Sequence, residues 1–237
     1  MNKLDEIKIR IAAIEVLRAL KEIYSYEQLS KMLGLQIPVI SRYINGHVLP
    51  GISRSEFILS KFGTEIVSSI LKEKVEIIDL ENKVFKITEA ATDPLILKIA
   101  SQIVFNNHKS QRIDKILTKE TMGIPLATMI AQAFGVRLIV ARNRKEMGVD
   151  KFIEVKRIFS SGTYSYLYVP RDFIKKRENI ILIDDAIRTG STMKALINIC
   201  KVAGAKPLGA YSLISVGDIT DKLATEFMFP VISFYRI

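Results

Sequence analysis

The sequence predicts an α/β protein: an all-α N-terminal part, then a doubly wound, mainly parallel sheet. Three features predict it. Residues 1–60 open on apolar side chains that recur at helical spacing and continue with two short helical patterns around Gly34. From Pro94 onward, helical patterns alternate with short apolar runs, the signature of strands joined by crossover helices. Among those runs, Ile180-Ile181-Leu182-Ile183 has no polar face, as expected of a central strand buried on both sides.

Taken in order, Ile7, Ile11, Ile14, Leu17 and Leu20 place an amphipathic helix over 3–21. Tyr26 to Met32 forms a second, short helix capped by Ser25, and Gly34 breaks it. A third runs from Gln36 to Asn45, with Pro38 in its first turn, where a missing N–H costs little, and Gly46 closes it. Ser53 to Lys74 continues as helix, and Val75 to Thr88 fits two short strands around Glu81-Asn82. Residues 1–60 are thus a helical domain, 61–89 a connector that is not Pro/Gly/Ser-rich, and 90–237 the α/β domain. In that domain the pattern gives helix 94–107, strand 113–117, helix 125–134 and strand 136–141. A hairpin near 151–159 and 164–169, strand 179–184, helix 191–203 and strand 207–216 follow. The aromatic tail, Asp218 to Ile237, reads as a final strand or cover interrupted by Pro230.

A chain of 237 residues with 49% hydrophobic and 25% charged residues excludes a largely disordered protein. No apolar run reaches the length of a membrane span, and Met1 to Glu6 lacks the apolar core of a leader, so a cytoplasmic protein without a membrane partner is expected. Cys200 is the sole cysteine; inside a helical pattern it reads as a buried thiol, not a nucleophile. The net charge of +10 points to an anionic partner, a nucleic acid or a phosphorylated metabolite. Arg137 to Arg177 alone carry 11 basic against 4 acidic residues.

The chemistry concentrates at the end of the apolar strand. Asp184 and Asp185 stand where open α/β sheets bind ligands. The small-residue turn Thr189-Gly190-Ser191-Thr192 then opens a helix, so backbone N–H groups and three hydroxyls can cradle a phosphate. Carboxylates repel that phosphate but accept hydrogen bonds from sugar hydroxyls, so a ribose 5-phosphate unit fits the pair. The run Ile180 to Thr192 closely resembles the phosphoribosyl-pyrophosphate motif of type I phosphoribosyltransferases. The resemblance implies that Asp184 and Asp185 hold the ribose and that Ala186, Thr189, Gly190, Ser191 and Thr192 wrap the 5-phosphate. Arg188 lies in the same ligand loop at a variable position and takes no fixed role. It further implies a pyrophosphate loop at Thr121, Met122 and Gly123, helped by the basic residues Arg144 and Lys145, with Mg2+ possible alongside phosphoribosyl pyrophosphate. No residue is assigned as a protein metal ligand or as the catalytic group.

Leu29 to Gly34, with Ile40 to Gly46 and Leu49-Pro50, resembles the lambda-repressor type of helix-turn-helix domain. That resemblance implies double-stranded DNA as a partner, read by Gln36, Pro38, Val39, Ser41, Arg42, Tyr43 and Asn45. The order of the two parts resembles archaeal transcriptional regulators of the GfcR type. The expectation is a homodimer on a palindromic operator, with phosphoribosyl pyrophosphate or a related nucleotide as effector. Arg144-Lys145-Glu146-Met147-Gly148 lacks the second lysine and the histidine of the orotate phosphoribosyltransferase lid, which favours a sensor over an enzyme. The alternative is an active orotate- or purine-type phosphoribosyltransferase with an N-terminal dimerisation or regulatory module.

Overall fold

The computed structural model describes residues 3–159 and 161–237; Met1 and Asn2, which open the segment read as lacking a leader, lie outside them. The N-terminal part is helical throughout: α1 (Lys3–Ile23), α2 (Tyr26–Leu33), α3 (Ile37–Ile44), α4 (Ile52–Ile58) and α5 (Thr64–Lys74). Ser25 caps α2 through the Gln28 amide while the Gln28 side chain returns the bond to the Ser25 amide, a reciprocal capping box. Gly34 ends α2 at φ +64°, the left-handed conformation its missing side chain permits. The long helix expected after Ser53 is present but carries a π-helical turn at Leu59–Gly63 between α4 and α5. A Cβ on Gly63 would stand 3.1 Å from Ile103 Cδ1, so the glycine lets the next domain's first long helix approach.

The connector forms the hairpin β1 (Glu76–Asp79) and β2 (Val84–Lys86), then a short helix α6 (Thr88–Thr92). Next come α7 (Pro94–His108), β3 (Lys115–Lys119), α8 (Ile124–Phe134) and β4 (Arg137–Ala141). The antiparallel hairpin β5 (Phe152–Ile158) and β6 (Tyr164–Pro170) follows, with no lid-like coil over those spans. The chain continues through β7 (Asn179–Ile187), α9 (Ser191–Ala203) and β8 (Lys206–Ser215). The tail differs from expectation: α10 (Ile219–Phe227) precedes the last strand, β9 (Val231–Arg236). Its one-turn apolar stripe, Ile219 and Leu223, is too short to stand out among aromatic residues.

The five-stranded sheet has the order β4-β3-β7-β8-β9, every pair parallel. β7 is central, and its side chains alternate between two cores. Ile181 and Ile183 pack with α7 and α8, whereas Ile180 and Leu182 pack with α9 and the β5–β6 hairpin. The first core runs without a break into the N-terminal helices, taking in Leu17, Leu29, Ile40 and Tyr43. Connections leave β3 toward one edge and β7 toward the other. The crevice above their carboxyl ends is therefore a topological switch point, the place where such sheets receive ligands. Among the described residues no helix is long and apolar enough to cross a membrane.

α7 begins at a strong start signal: Asp93 Oδ1 accepts from the amides of Leu95 (2.8 Å) and Ile96 (3.0 Å), and Pro94 fills the first turn. Asp93→Ala is expected to lower stability by about 1 kcal/mol. Urea denaturation read by circular dichroism checks this; an unchanged midpoint would mean the cap contributes nothing.

Candidate active site

The crevice is an open cleft of about 330 Å³ lined by β3's loop, β7's end, the start of α9 and Arg157 of β5. Its floor is built by backbone contact. A Cβ on Gly123 would lie 2.6 Å from Thr118 Oγ1, 3.3 Å from Asp184 Cα and 3.4 Å from the Asp185 amide. Only glycine lets the loop after β3 rest against the carboxylate pair. Glu120 ties the same loop to the end of β4, accepting from the amide and the side chain of Asn143 at 2.8 and 2.7 Å.

Asp184 is 5% exposed, and its Oδ1 accepts from the Asp185 amide at 3.1 Å. Burial, and then the neighbouring Asp185 charge, push its carboxyl well above the usual carboxylate range. Two half-buried cations face it. Lys119 Nζ donates to its neighbour's carbonyl at Glu120 (2.7 Å), and Arg157 Nε donates to Ser191 Oγ (3.3 Å). Desolvation lowers the pKa of both, with Asp184 and Asp185 opposing that shift. Two positive charges held out of water against a carboxylate pair suit a ligand that carries both hydroxyls and phosphates.

Gly190 begins α9 at φ +78°, and a Cβ there would meet Leu223 and Ile219 at 3.3–3.4 Å. Among the described residues no side chain caps this helix. The first amides, Ser191 to Met193, thus open into the cleft without an intrahelical acceptor, beside the Thr189, Ser191 and Thr192 hydroxyls.

Most of the ligand residues expected from sequence come together here: Thr121, Met122, Asp184, Asp185, Ala186, Arg188, Thr189, Gly190, Ser191 and Thr192 all line the cleft, with Gly123 directly beneath. Arg144 and Lys145 do not. They border a neighbouring hollow with Arg142. Lys145 pairs with Glu154 and lies over the Phe152 and Tyr168 rings, which draws its ammonium to the hairpin instead of the pyrophosphate loop. Lys119 and Arg157 were not singled out by sequence. On β5, Ile153 and Val155 face the core, and Arg157 continues that face; an arginine on the apolar side of a strand was the available signal. Cys200 is buried, its thiol pushed up to about 12, so it is no nucleophile.

Residues 89–228 match the family described as phosphoribosyl transferase domain. The chain is 32% identical over 145 residues to the xanthine phosphoribosyltransferase of Clostridium tetani, spanning 58% of this chain and 76% of that one. It is 31% identical over 128 residues to the hypoxanthine/guanine phosphoribosyltransferase of Methanobrevibacter ruminantium, spanning 54% of this chain and 66% of the relative. Among solved structures, the adenine phosphoribosyltransferase of Rhodothermus marinus superposes with a TM-score of 0.63 at 19% identity, over 73% of this chain and 99% of that one.

These relatives overturn the expectation of a transcription regulator with a double-stranded DNA operator as partner: they are purine phosphoribosyltransferases. The helix pair is real, and of the residues expected to face DNA, Gln36, Pro38, Arg42 and Asn45 are exposed and Val39 and Ser41 partly so, whereas Tyr43 is not. Tyr43 is a core residue at 6% exposure whose hydroxyl accepts from Arg54 (2.8 Å), and the Asn45 amide is turned onto Ser41 Oγ (3.2 Å). The missing orotate-type lid likewise stops arguing against catalysis, since the relatives are of the purine type. By the match over residues 89–228, the chain belongs to the phosphoribosyl transferase domain family.

Proposed function

We propose that the protein is an active purine phosphoribosyltransferase that joins a purine base to C1 of phosphoribosyl pyrophosphate and releases pyrophosphate. The carrying observation is the cleft itself: a carboxylate pair and an uncapped helix start side by side, floored by a glycine loop and faced by Lys119 and Arg157. Asp184 and Asp185 accept from the ribose hydroxyls. The amides and hydroxyls of Thr189 to Thr192 hold the 5-phosphate, and Thr121 to Gly123 receive the pyrophosphate. As the base nitrogen attacks C1, the C1–O bond breaks, its electron pair leaves with the pyrophosphate, and the proton lost by the base passes to the departing pyrophosphate or to water. Lys119 and Arg157 stabilise that growing negative charge in a partly dehydrated cleft, where a fixed cation acts most strongly. Negative charge on the ribose side opposes the positive charge developing at C1.

Among the described residues no cluster of three metal-ligating side chains exists. Mg2+ commonly binds through one or two carboxylates plus substrate phosphates. The pair Asp184–Asp185 beside a diphosphate fits that habit, and the ion would supply charge neutralisation of the pyrophosphate. The proposed catalytic site lies within residues 90–237, and the helical part runs on to Lys74, past the boundary expected at residue 60.

The purified chain, given phosphoribosyl pyrophosphate, Mg2+ and in turn xanthine, hypoxanthine, guanine, adenine and orotate, is expected to form a purine nucleoside monophosphate, read by chromatography. Failure with every purine would sink the proposal. Arg157→Ala should lower kcat/KM by about 10- to 100-fold, the worth of one hydrogen bond from a charged donor. Arg157→Lys should recover part of that; an unchanged Arg157→Ala rate would remove Arg157 from the site.

Asp184 generates a second expectation. A carboxyl whose folded pKa is raised binds its proton more tightly folded than unfolded. Stability is therefore lost as pH rises from the ordinary carboxylate range through the folded pKa. Asp184→Asn removes the buried charge, so it should raise Tm at neutral pH, by about 2–4 °C for each kcal/mol relieved. It should also flatten the pH dependence of Tm and abolish transfer. A variant that melts lower at neutral pH would contradict the assigned shift.

A further inference from the structure

The β5–β6 hairpin has two faces, and one of them is turned away from the rest of the chain. Ile153, Val155, Leu167 and Val169 point inward, into the core they share with α9 and β7. The pleat sends the alternate residues outward: Phe152, Glu154, Lys156 and Ile158 on β5, and Tyr164, Tyr166 and Tyr168 on β6. The solvent face of an antiparallel pair is ordinarily polar. Here Ile158 is 60%, Tyr164 56% and Tyr166 41% exposed, and the cleft uses none of them.

The outward rings form a row. Centroids follow one another from Phe152 to Tyr168 at 6.2 Å, on to Tyr166 at 6.3 Å and on to Tyr164 at 5.9 Å. Cations accompany it at both ends: Lys145 Nζ stands 5.4 Å from the Tyr168 centroid, and Lys156 Nζ 3.8 Å from that of Tyr164. Beyond the Tyr168 end, Arg142, offset by Glu146, and Arg144 border a hollow of about 390 Å³ together with Lys145. The stretch Arg137 to Arg177, which carries this face, holds 11 basic against 4 acidic residues, so its charge suits an anion.

A partner for exposed rings set among cations has to bring flat π-faces and negative charge together. The bases of a single strand stack on aromatic side chains whatever their identity, while its phosphates follow the basic groups. The step between rings is wider than the roughly 3.4 Å per nucleotide of a helical strand, so each ring takes a base opened from its neighbours. A duplex keeps its base faces stacked inside and offers the row nothing to stack on.

We propose that the outer face of the β5–β6 hairpin binds single-stranded nucleic acid, with bases on Tyr164, Tyr166 and Tyr168 and phosphates at Lys156 and the basic hollow. The row is separate from the cleft lining and from the α2–α3 helix pair, and the proposal does not rest on the transferase function above.

Fluorescence anisotropy of the full chain with labelled oligouridylate and oligothymidylate of about twelve nucleotides tests it at two salt concentrations. A duplex of equal length and an excess of phosphoribosyl pyrophosphate are the controls. Both single strands are expected to bind more tightly than the duplex, and phosphoribosyl pyrophosphate should leave them bound. Tyr164→Ala and Tyr166→Ala, at exposed positions outside the core, should each weaken binding about tenfold, whereas Tyr166→Phe keeps the ring and should bind as wild type. Lys156→Ala should lower the slope of log affinity against log salt by about one. Equal binding to strand and duplex, unmoved in the tyrosine variants, would mean charge alone and overturns the proposal. Displacement by phosphoribosyl pyrophosphate would put the strand in the cleft and overturns it too. Absence of strand binding does the same; a dimer in sedimentation that Tyr166→Ala separates would then give the face to a second copy of the chain.

Discussion

The loop after β3 and the end of β7 meet backbone against backbone, with no room for a side chain between Gly123 and the Asp184–Asp185 peptide. That contact exists only because β3 and β7 are adjacent parallel strands whose carboxyl ends emerge together. Once they do, the rest of the cleft has little freedom. Asp184 is forced under the loop and out of water. α9 must start one turn further on, and Gly190 must adopt a left-handed conformation against Leu223 to aim the helix start at the same space. The carboxylate pair, the open helix start and the glycine loop meet in one cleft because of one strand pairing.

The same geometry sets an electrostatic tension. Desolvation is the largest influence on Asp184, Lys119 and Arg157 alike, and it disfavours the charged form of each. Their mutual attraction offsets part of that cost, but direct contacts among them are indirect or lacking: Lys119 is turned to a carbonyl and Arg157 to a hydroxyl. The cleft thus holds opposite charges close together and partly out of water without pairing them directly.

Much of this was legible in the sequence because it is local. The apolar run with two aspartates and a small-residue turn lies within one strand–loop–helix unit, and β7, α9 and the glycine loop all formed where their patterns placed them. Arg157 was not legible as a cleft residue, since its place depends on which distant hairpin folds over the cleft. Lys145 misled for the same reason: a basic residue after β4 faces either the pyrophosphate or the hairpin, and Glu154 decides it. The helix pair at residues 26–44 failed differently. Its capping box, glycine turn and apolar spacing specify two packed helices, and two packed helices formed; nothing in those features specifies what the outer face touches. The step from motif to DNA partner had no chemistry of its own, whereas the step from carboxylates and amides to a phosphorylated ribose did.

The family match covers residues 89–228 and so includes every residue that lines the cleft. Phe85 lies outside it, on a hairpin between the helical domain and the sheet. That hairpin is rooted in the core that joins α1, α5 and α7 to β7, as the burial of Phe85 and Ile87 among those residues shows. Phe85, beneath the Arg188 guanidinium, is therefore positioned by the N-terminal half of the chain, while the residues that line the cleft belong to the C-terminal half.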